Sequence, residues 1–450
     1  MQNFKIFIIV AVVLMSGCSS ATEATQASIP PDSPVPVDPA IESGVSQAVA
    51  AFNESNFDGA LERLQSLYAE FRHIAPPRIV MAQWFAEANF GDEAVRGALE
   101  MATDETPDDP EAYLLLGGIS LRQGHLTAAE LLLQAAKAKL DAYDINKERK
   151  NLMQAAWLRS AISLAEIRGR WNVMLEMLTV TGKQDGETPT LLRQQGVALF
   201  QLKRESEALA MFAKADSLAG TLPDPDAGLP AEAAMAQLYQ LRGDRDNAQK
   251  YLAEALRKYP QSRDVVVLSV QARISEDHLE DARTLAEKLL TENPDWQPAQ
   301  RLLATVALYL GDYAEAERLY QVLILDSPSD EQAANGLALA QSEQEDPQKL
   351  QRALDYVREN VRRNQNESDY WATLGWVLYN ADQFEAAEQA LRQASATGRV
   401  NAATAYYQAR LALRAGETAD AIRLLEAAIA TPVPFAKRRD AVRLLDVLKK

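Results

Sequence analysis

From residue 41 onward, apolar residues recur at i, i+3, i+4 and i+7, and the runs are broken at Gly-Asp, Asn-Pro and Ser-Pro steps. That pattern predicts one amphipathic helix after another. A single column of small residues, each opening the second helix of a pair, exposes a period. The column is Ala60, Ala94, Ala129, Met174, Ala208, Ala248, Ala282, Ala316, Ala353, Ala387 and Ala421. Six of its ten intervals are 34 residues, and Met174 is its one departure from alanine. At 450 residues the chain exceeds what one hydrophobic core usually serves, so growth along one axis by repetition is the consistent reading.

Within a unit the order of large and small positions is also regular. Residues 368–401 supply Trp371, Leu374, Gly375, Leu378, Phe384, Ala387, Leu391 and Ala394. Residues 297–330 supply Leu303, Ala304, Gly311, Tyr313, Ala316, Tyr320 and a terminating Pro328, and residues 110–143 supply Tyr113, Leu116, Gly117, Leu126, Ala129 and Leu133. Paired helices approach closely only where Gly or Ala meets Ala, as Gly375 would meet Ala387, while large neighbours fill the grooves. Gly243 and Gly311 stand where left-handed C-caps are needed, and Pro260, Pro294 and Pro328 stop second helices.

This arrangement resembles the tetratricopeptide repeat. The resemblance implies an all-α, right-handed α-α superhelical solenoid of about eleven helical hairpins over residues 41–434, closed by a capping helix over 435–450. A hairpin leaves one face apolar and is stable only when stacked, so a stack needs such a cap. Val442, Leu445 and Leu448 form the expected apolar stripe of that cap. Lys437, Arg438, Arg439 and Arg443 fall largely elsewhere, on either a solvated face or an acid-binding one. Three insertions interrupt the period, near 141–150, 218–229 and 343–349. Such loops either carry function or are slack.

The first residues follow another logic. Met1–Lys5 carries one positive charge, Ile6–Met15 is wholly apolar, and Ser16-Gly17-Cys18 follows. This reads as a secretory signal over 1–17, and the apolar run is short for a membrane span, which takes about 20 residues. Cys18 is the only cysteine. Leu14-Met15-Ser16-Gly17-Cys18 resembles the lipobox of bacterial lipoproteins, with Met15 where that family prefers Leu. The resemblance implies lipidation of Cys18, with Ser19 favouring the outer membrane, facing the periplasm. An uncleaved anchor with an incidental cysteine is the competing reading. Residues 18–40 are small, polar and proline-rich, with prolines at 30, 31, 34, 36 and 39, and read as an extended tether.

The formal charge of −17 disfavours nucleic acid and anionic lipid as partners of the body, leaving the lipid anchor as the membrane contact. His73, His125 and His278 are scattered, and no phosphate loop, zinc motif or nucleophile elbow occurs. Acidic pairs such as Asp108-Asp109 and Glu280-Asp281 sit at helix starts, where they serve as caps. The expectation is a protein without catalytic residues, cofactor or metal.

Binding remains. The resemblance implies a concave groove lined by first helices, and its register places Arg159, Arg193, Arg301, Tyr309, Trp376, Tyr379, Tyr406, Arg410 and Arg414 there. Arginines along a groove suit an acidic or C-terminal-carboxylate ligand, unless they pair with neighbouring Glu and Asp. The Lys/Asn set with which the family clamps chaperone carboxylates is missing. The principal site is expected at Trp376, Tyr379, Tyr406, Arg410 and Arg414, either as an exposed hot spot or as core with Arg410 over Trp376. The leading functional expectation is a scaffold lipoprotein binding protein or peptide partners of an envelope machine for pilus assembly, secretion or exopolysaccharide export. The alternative is a periplasmic carrier holding polysaccharide or peptide directly.

Overall fold

The computed structural model describes residues 38–220, 228–396, 400–430 and 434–450. Among these there are twenty-three α-helices and no strand. They fall into two compact units, residues 1–208 and 209–450.

The N-terminal unit begins with the pairs α1 (Pro39–Asn53) and α2 (Phe57–Glu70), α3 (Pro77–Glu87) and α4 (Asp92–Glu105), and α5 (Pro110–Arg122) and α6 (Leu126–Ala142). It continues with α7 (Lys147–Ile167), α8 (Trp171–Asp185) and α9 (Pro189–Gln201); the division between units falls inside α10 (Glu205–Ala219). The C-terminal unit pairs α11 (Ala231–Arg242) with α12 (Arg245–Lys258), α13 (Arg263–Ser275) with α14 (Leu279–Glu292), and α15 (Gln297–Leu310) with α16 (Tyr313–Asp326). Next come α17 (Glu331–Ser342) with α18 (Pro347–Arg363), α19 (Ser368–Asn380) with α20 (Phe384–Ala396), and α21 (Ala402–Arg414) with α22 (Thr418–Ala430), before α23 (Arg438–Leu448).

The column of small residues is the spine of each stack. Ala60, Ala129, Met174, Ala208, Ala282, Ala316, Ala353, Ala387 and Ala421 are all buried, each followed four residues on by another buried residue. Two members depart: in α4 the buried series is Val95, Leu99 and Ala102, so Val95 occupies the column and Ala94 lies beside it, half-buried, and in α12 Ala248 is half-buried as well. Close approach is genuine at Gly375, where an added Cβ would stand 2.6 Å from Leu391 Cγ and 3.2 Å from the Ala387 carbonyl oxygen. Overpacking of that kind costs about 1–3 kcal/mol. Gly243 and Gly311 take φ of +80° and cap α11 and α15 as expected.

Two predicted boundaries move. Asp38 caps α1 by accepting from Ala40 N at 2.9 Å and Pro39 takes the first helical position, so the array begins two residues before residue 41. Helix α23 starts at Arg438, and its packed face is Ala441, Leu444, Leu445 and Leu448, with Val442 exposed. The signal, Cys18 and the tether up to residue 37 lie outside the described residues, as do 221–227 of the second insertion.

Candidate peptide-binding groove

In the C-terminal unit the structure gathers the five principal candidates on α19 and α21. Trp376 and Tyr379 are stacked at 5.2 Å, and Trp376 is stacked at 4.6 Å on Tyr407. Tyr406 lies 5.7 Å from Trp376. The exposed hot spot is not found: Trp376 is 3% and Tyr406 0% exposed. Nor does Arg410 lie over Trp376. It lies over Tyr379 at 5.9 Å, and Arg414 lies 3.6 Å over Phe384.

What covers these rings is the chain's own segment 434–440. Phe435 is buried 6.1 Å from Tyr406. Lys437, 5.8 Å above the Trp376 ring, donates to Glu343 Oε2 at 2.5 Å and to the Tyr313 hydroxyl at 2.7 Å. Glu343 is held by its other oxygen, which accepts from Trp376 Nε1 at 2.6 Å. Arg439 reaches farther back, donating to Asp277 Oδ1 at 3.1 Å and Glu280 Oε1 at 3.0 Å. Asp440 accepts from the Tyr406 hydroxyl and, at 3.3 Å, from Arg410.

The electrostatics follow from this half-dry setting. Burial works against the Lys437 ammonium, but Glu343 outweighs it and holds the group above its ordinary value. Burial and then the hydrogen bond to Asp440 push the Tyr406 phenol up, and burial pushes Tyr309 up to about 12. Tyr309 belongs to the same neighbourhood, since it, Tyr313 and Glu343 all act on the buried Tyr407 hydroxyl.

The remaining candidates stand apart. Arg301 on α15 pairs with Asp330, the residue that caps α17. Arg159 on α7 is exposed and Arg193 on α9 is half-buried, and both belong to the N-terminal unit. With Arg301 and Arg410 on internal carboxylates and Arg414 on an aromatic ring, the expectation of arginines free for an acidic ligand loses these three. Sequence reading missed Glu343, Tyr313, Asp277, Glu280 and Asp440 as groove residues. A signal for Asp440 was present: it lies 34 residues beyond Tyr406, at the same place in the period. Glu343 opens the third insertion.

The first insertion is structural. Arg149, 2% exposed, donates to Asp109 Oδ2 at 2.7 Å and to Glu111 Oε2 at 2.5 Å, and also to the Tyr143 hydroxyl at 2.9 Å. Asn146 caps α7 and donates to the His73 carbonyl at 3.2 Å. Two carboxylates share one buried guanidinium, so burial, joined by the charge of Asp109, raises Glu111 above its ordinary value despite Arg149.

Stacked antiparallel hairpins with a recurring small-residue column define a helical-repeat protein. Models described as "Tetratricopeptide repeat" match residues 239–306 and, separately, 85–145, 301–368 and 372–436, together more than half of the chain. The chain belongs to the tetratricopeptide-repeat family. Among solved structures, it is similar to a tetratricopeptide repeat protein from Parabacteroides merdae, at 12% identity over 58% of this chain and 99% of that one, TM-score 0.46. It is also similar to TTC0263, a thermophilic TPR protein in Thermus thermophilus, at 22% identity over 42% and 98%, TM-score 0.36. A third is Pseudomonas aeruginosa pilF, at 18% identity over 47% and 96%, TM-score 0.33. No curated protein matches the chain.

Proposed function

We propose that this chain is a non-catalytic scaffold lipoprotein of a bacterial envelope, tethered at the outer membrane through Cys18 and facing the periplasm, whose groove takes protein or peptide segments of an envelope machine. The observation that carries the binding half is the groove of the C-terminal unit, where Glu343, Tyr313 and the stacked Trp376 hold Lys437, which lies 94 residues from Glu343 and 124 from Tyr313 in sequence. A surface that recognises aromatic and basic side chains in this manner is built for polypeptide. The carrier alternative draws no support from sugar stacking, because Trp376, Tyr406 and Tyr407 are buried. The tether half rests on the short apolar run before a solitary cysteine and on the proline-rich stretch after it.

Metabolic palmitate labelling with membrane fractionation tests the tether. Labelling of the wild type and its loss in Cys18→Ser is the expected result; unchanged labelling and retention in that variant overturns it. Crosslinking and pull-down from intact cells tests the scaffold. Components of a pilus, secretion or polysaccharide-export assembly are expected, and recovery of glycan alone would contradict the proposal.

A further inference from the structure

Segment 435–440 differs from an end cap in where it binds. A cap seals the last hairpin, and Ala441, Leu444 and Leu445 do pack there. The residues just before them reach 94, 124, 159 and 162 positions back, to Glu343, Tyr313, Glu280 and Asp277. Alternate residues do this: Phe435 against Tyr406, Lys437 on Glu343 and Tyr313, Arg439 on Asp277 and Glu280. Ala436 packs beside the apolar cluster of α13 to α17, and Arg438 turns back to the Ile429 carbonyl.

The holding forces are the kind that a competitor can replace. The Arg439 side chain is 40% exposed and its acidic partners 46% and 69%, so these pairs are screened by salt. The Lys437 pair is drier, at 15% and 13%. Along α23 only Ala441 is fully buried, while Val442 and Val447 are exposed. A helix so thinly anchored opens more readily than the stack beneath it. The sites it uses are three carboxylates and a set of aromatic rings, which select a basic and aromatic ligand rather than an acidic one.

Resting on the binding reading above, we infer that residues 435–440 are a resident, exchangeable occupant of this groove, and that the partner offers the same chemistry: an aromatic residue followed at the second and fourth places by Lys or Arg. Such a segment binds by displacing the resident one, so the wild-type chain shows only the affinity left after that competition.

The test uses the full chain and a fluorescent synthetic peptide of sequence PFAKRRDA, that of residues 434–441. Lys437→Ala with Arg439→Ala removes the two charged anchors of the resident segment, so that the unchanged Phe435 is left with its aromatic contact alone. This double variant should bind the peptide at least about tenfold more tightly than the wild type. Adding Glu343→Gln should remove most of that gain. In the wild type, excess peptide should speed amide exchange across 438–448. Equal affinity of the peptide for the wild type and the double variant, with both folded, overturns the inference, as does unchanged exchange in α23. If envelope partners are still captured under either of those outcomes, the scaffold reading stands and this inference alone fails.

Discussion

The insertion at 141–150 and the segment at 434–440 solve similar problems in opposite ways. Each brings a basic side chain onto carboxylates contributed by earlier helices. Arg149 does so 38 and 40 residues from its partners, with side chains only 3–6% exposed. Lys437 and Arg439 do so 94 to 162 residues from theirs, with the guanidinium partly in water. A buried triad makes opening costly, because removal of one partner strands the others without water. A contact that is half-exposed at Arg439, drier at Lys437 and held by a marginal helix leaves exchange open. The first device therefore fastens a stack across an irregularity in its period, and the second regulates access to a surface.

The largest expected effect tests that contrast on the N-terminal side. Arg149→Met leaves Asp109 and Glu111 buried without a cation and should cost about 3–5 kcal/mol, read as lost exchange protection in α5 to α7. A loss under about 1 kcal/mol would mean that the triad fastens nothing. On the other side, Lys437→Met should cost about 1–2 kcal/mol, confined to α23 and the end of α19, because Glu343 keeps its bond from Trp376. A cost as large as that of Arg149→Met would erase the difference between the two devices.

The smallest effect is one of pH. Glu111 is raised above its ordinary 4.5 in the folded chain, so the fold binds its proton more tightly than the unfolded chain does. Its contribution is fully present below pH 4.5 and is lost as pH rises through the folded value, by at most about 1.4 kcal/mol per pH unit. Glu111→Gln should remove this share of the pH dependence in the N-terminal unit. Urea titrations of both chains between pH 4 and 7 that show identical slopes would contradict it.

Much of the fold could be read from the chain because its determinants are local. The 34-residue spacing, the Gly311 cap and the pairing of Gly375 with Leu391 and Ala387 depend on neighbours within one or two hairpins. Ala94 shows the resolution of such reading: composition favours it for the column, but the helix phase in α4 is set by Val95, Leu99 and Ala102 one step on. The candidate site was legible only in part. Periodicity brought Trp376, Tyr379, Tyr406 and Arg410 to one place, yet their burial depends on Phe435 and Lys437, which no local rule connects to Tyr313 or Asp277. Likewise Arg301 stands on a first helix, but its partner Asp330, which caps the next first helix, is not marked by any local rule. The reach of Lys437 and Arg439, 94 to 162 residues back, follows no repeat period, unlike Asp440, which stands one period beyond Tyr406.

Residues 435–440 occupy the groove of the C-terminal unit and leave it when a like segment arrives. Zero-length carbodiimide crosslinking of the full chain, read by mass spectrometry, tests it directly, because an amide forms only where a lysine and a carboxylate are in contact. Lys349 and Glu317, 2.6 Å apart and within adjacent hairpins, are the internal standard. A Lys437–Glu343 crosslink is expected alongside the standard, diminished by excess peptide of sequence PFAKRRDA while the standard is unchanged. A strong Lys349–Glu317 crosslink with none between Lys437 and Glu343, or a Lys437–Glu343 crosslink indifferent to the peptide, would contradict it.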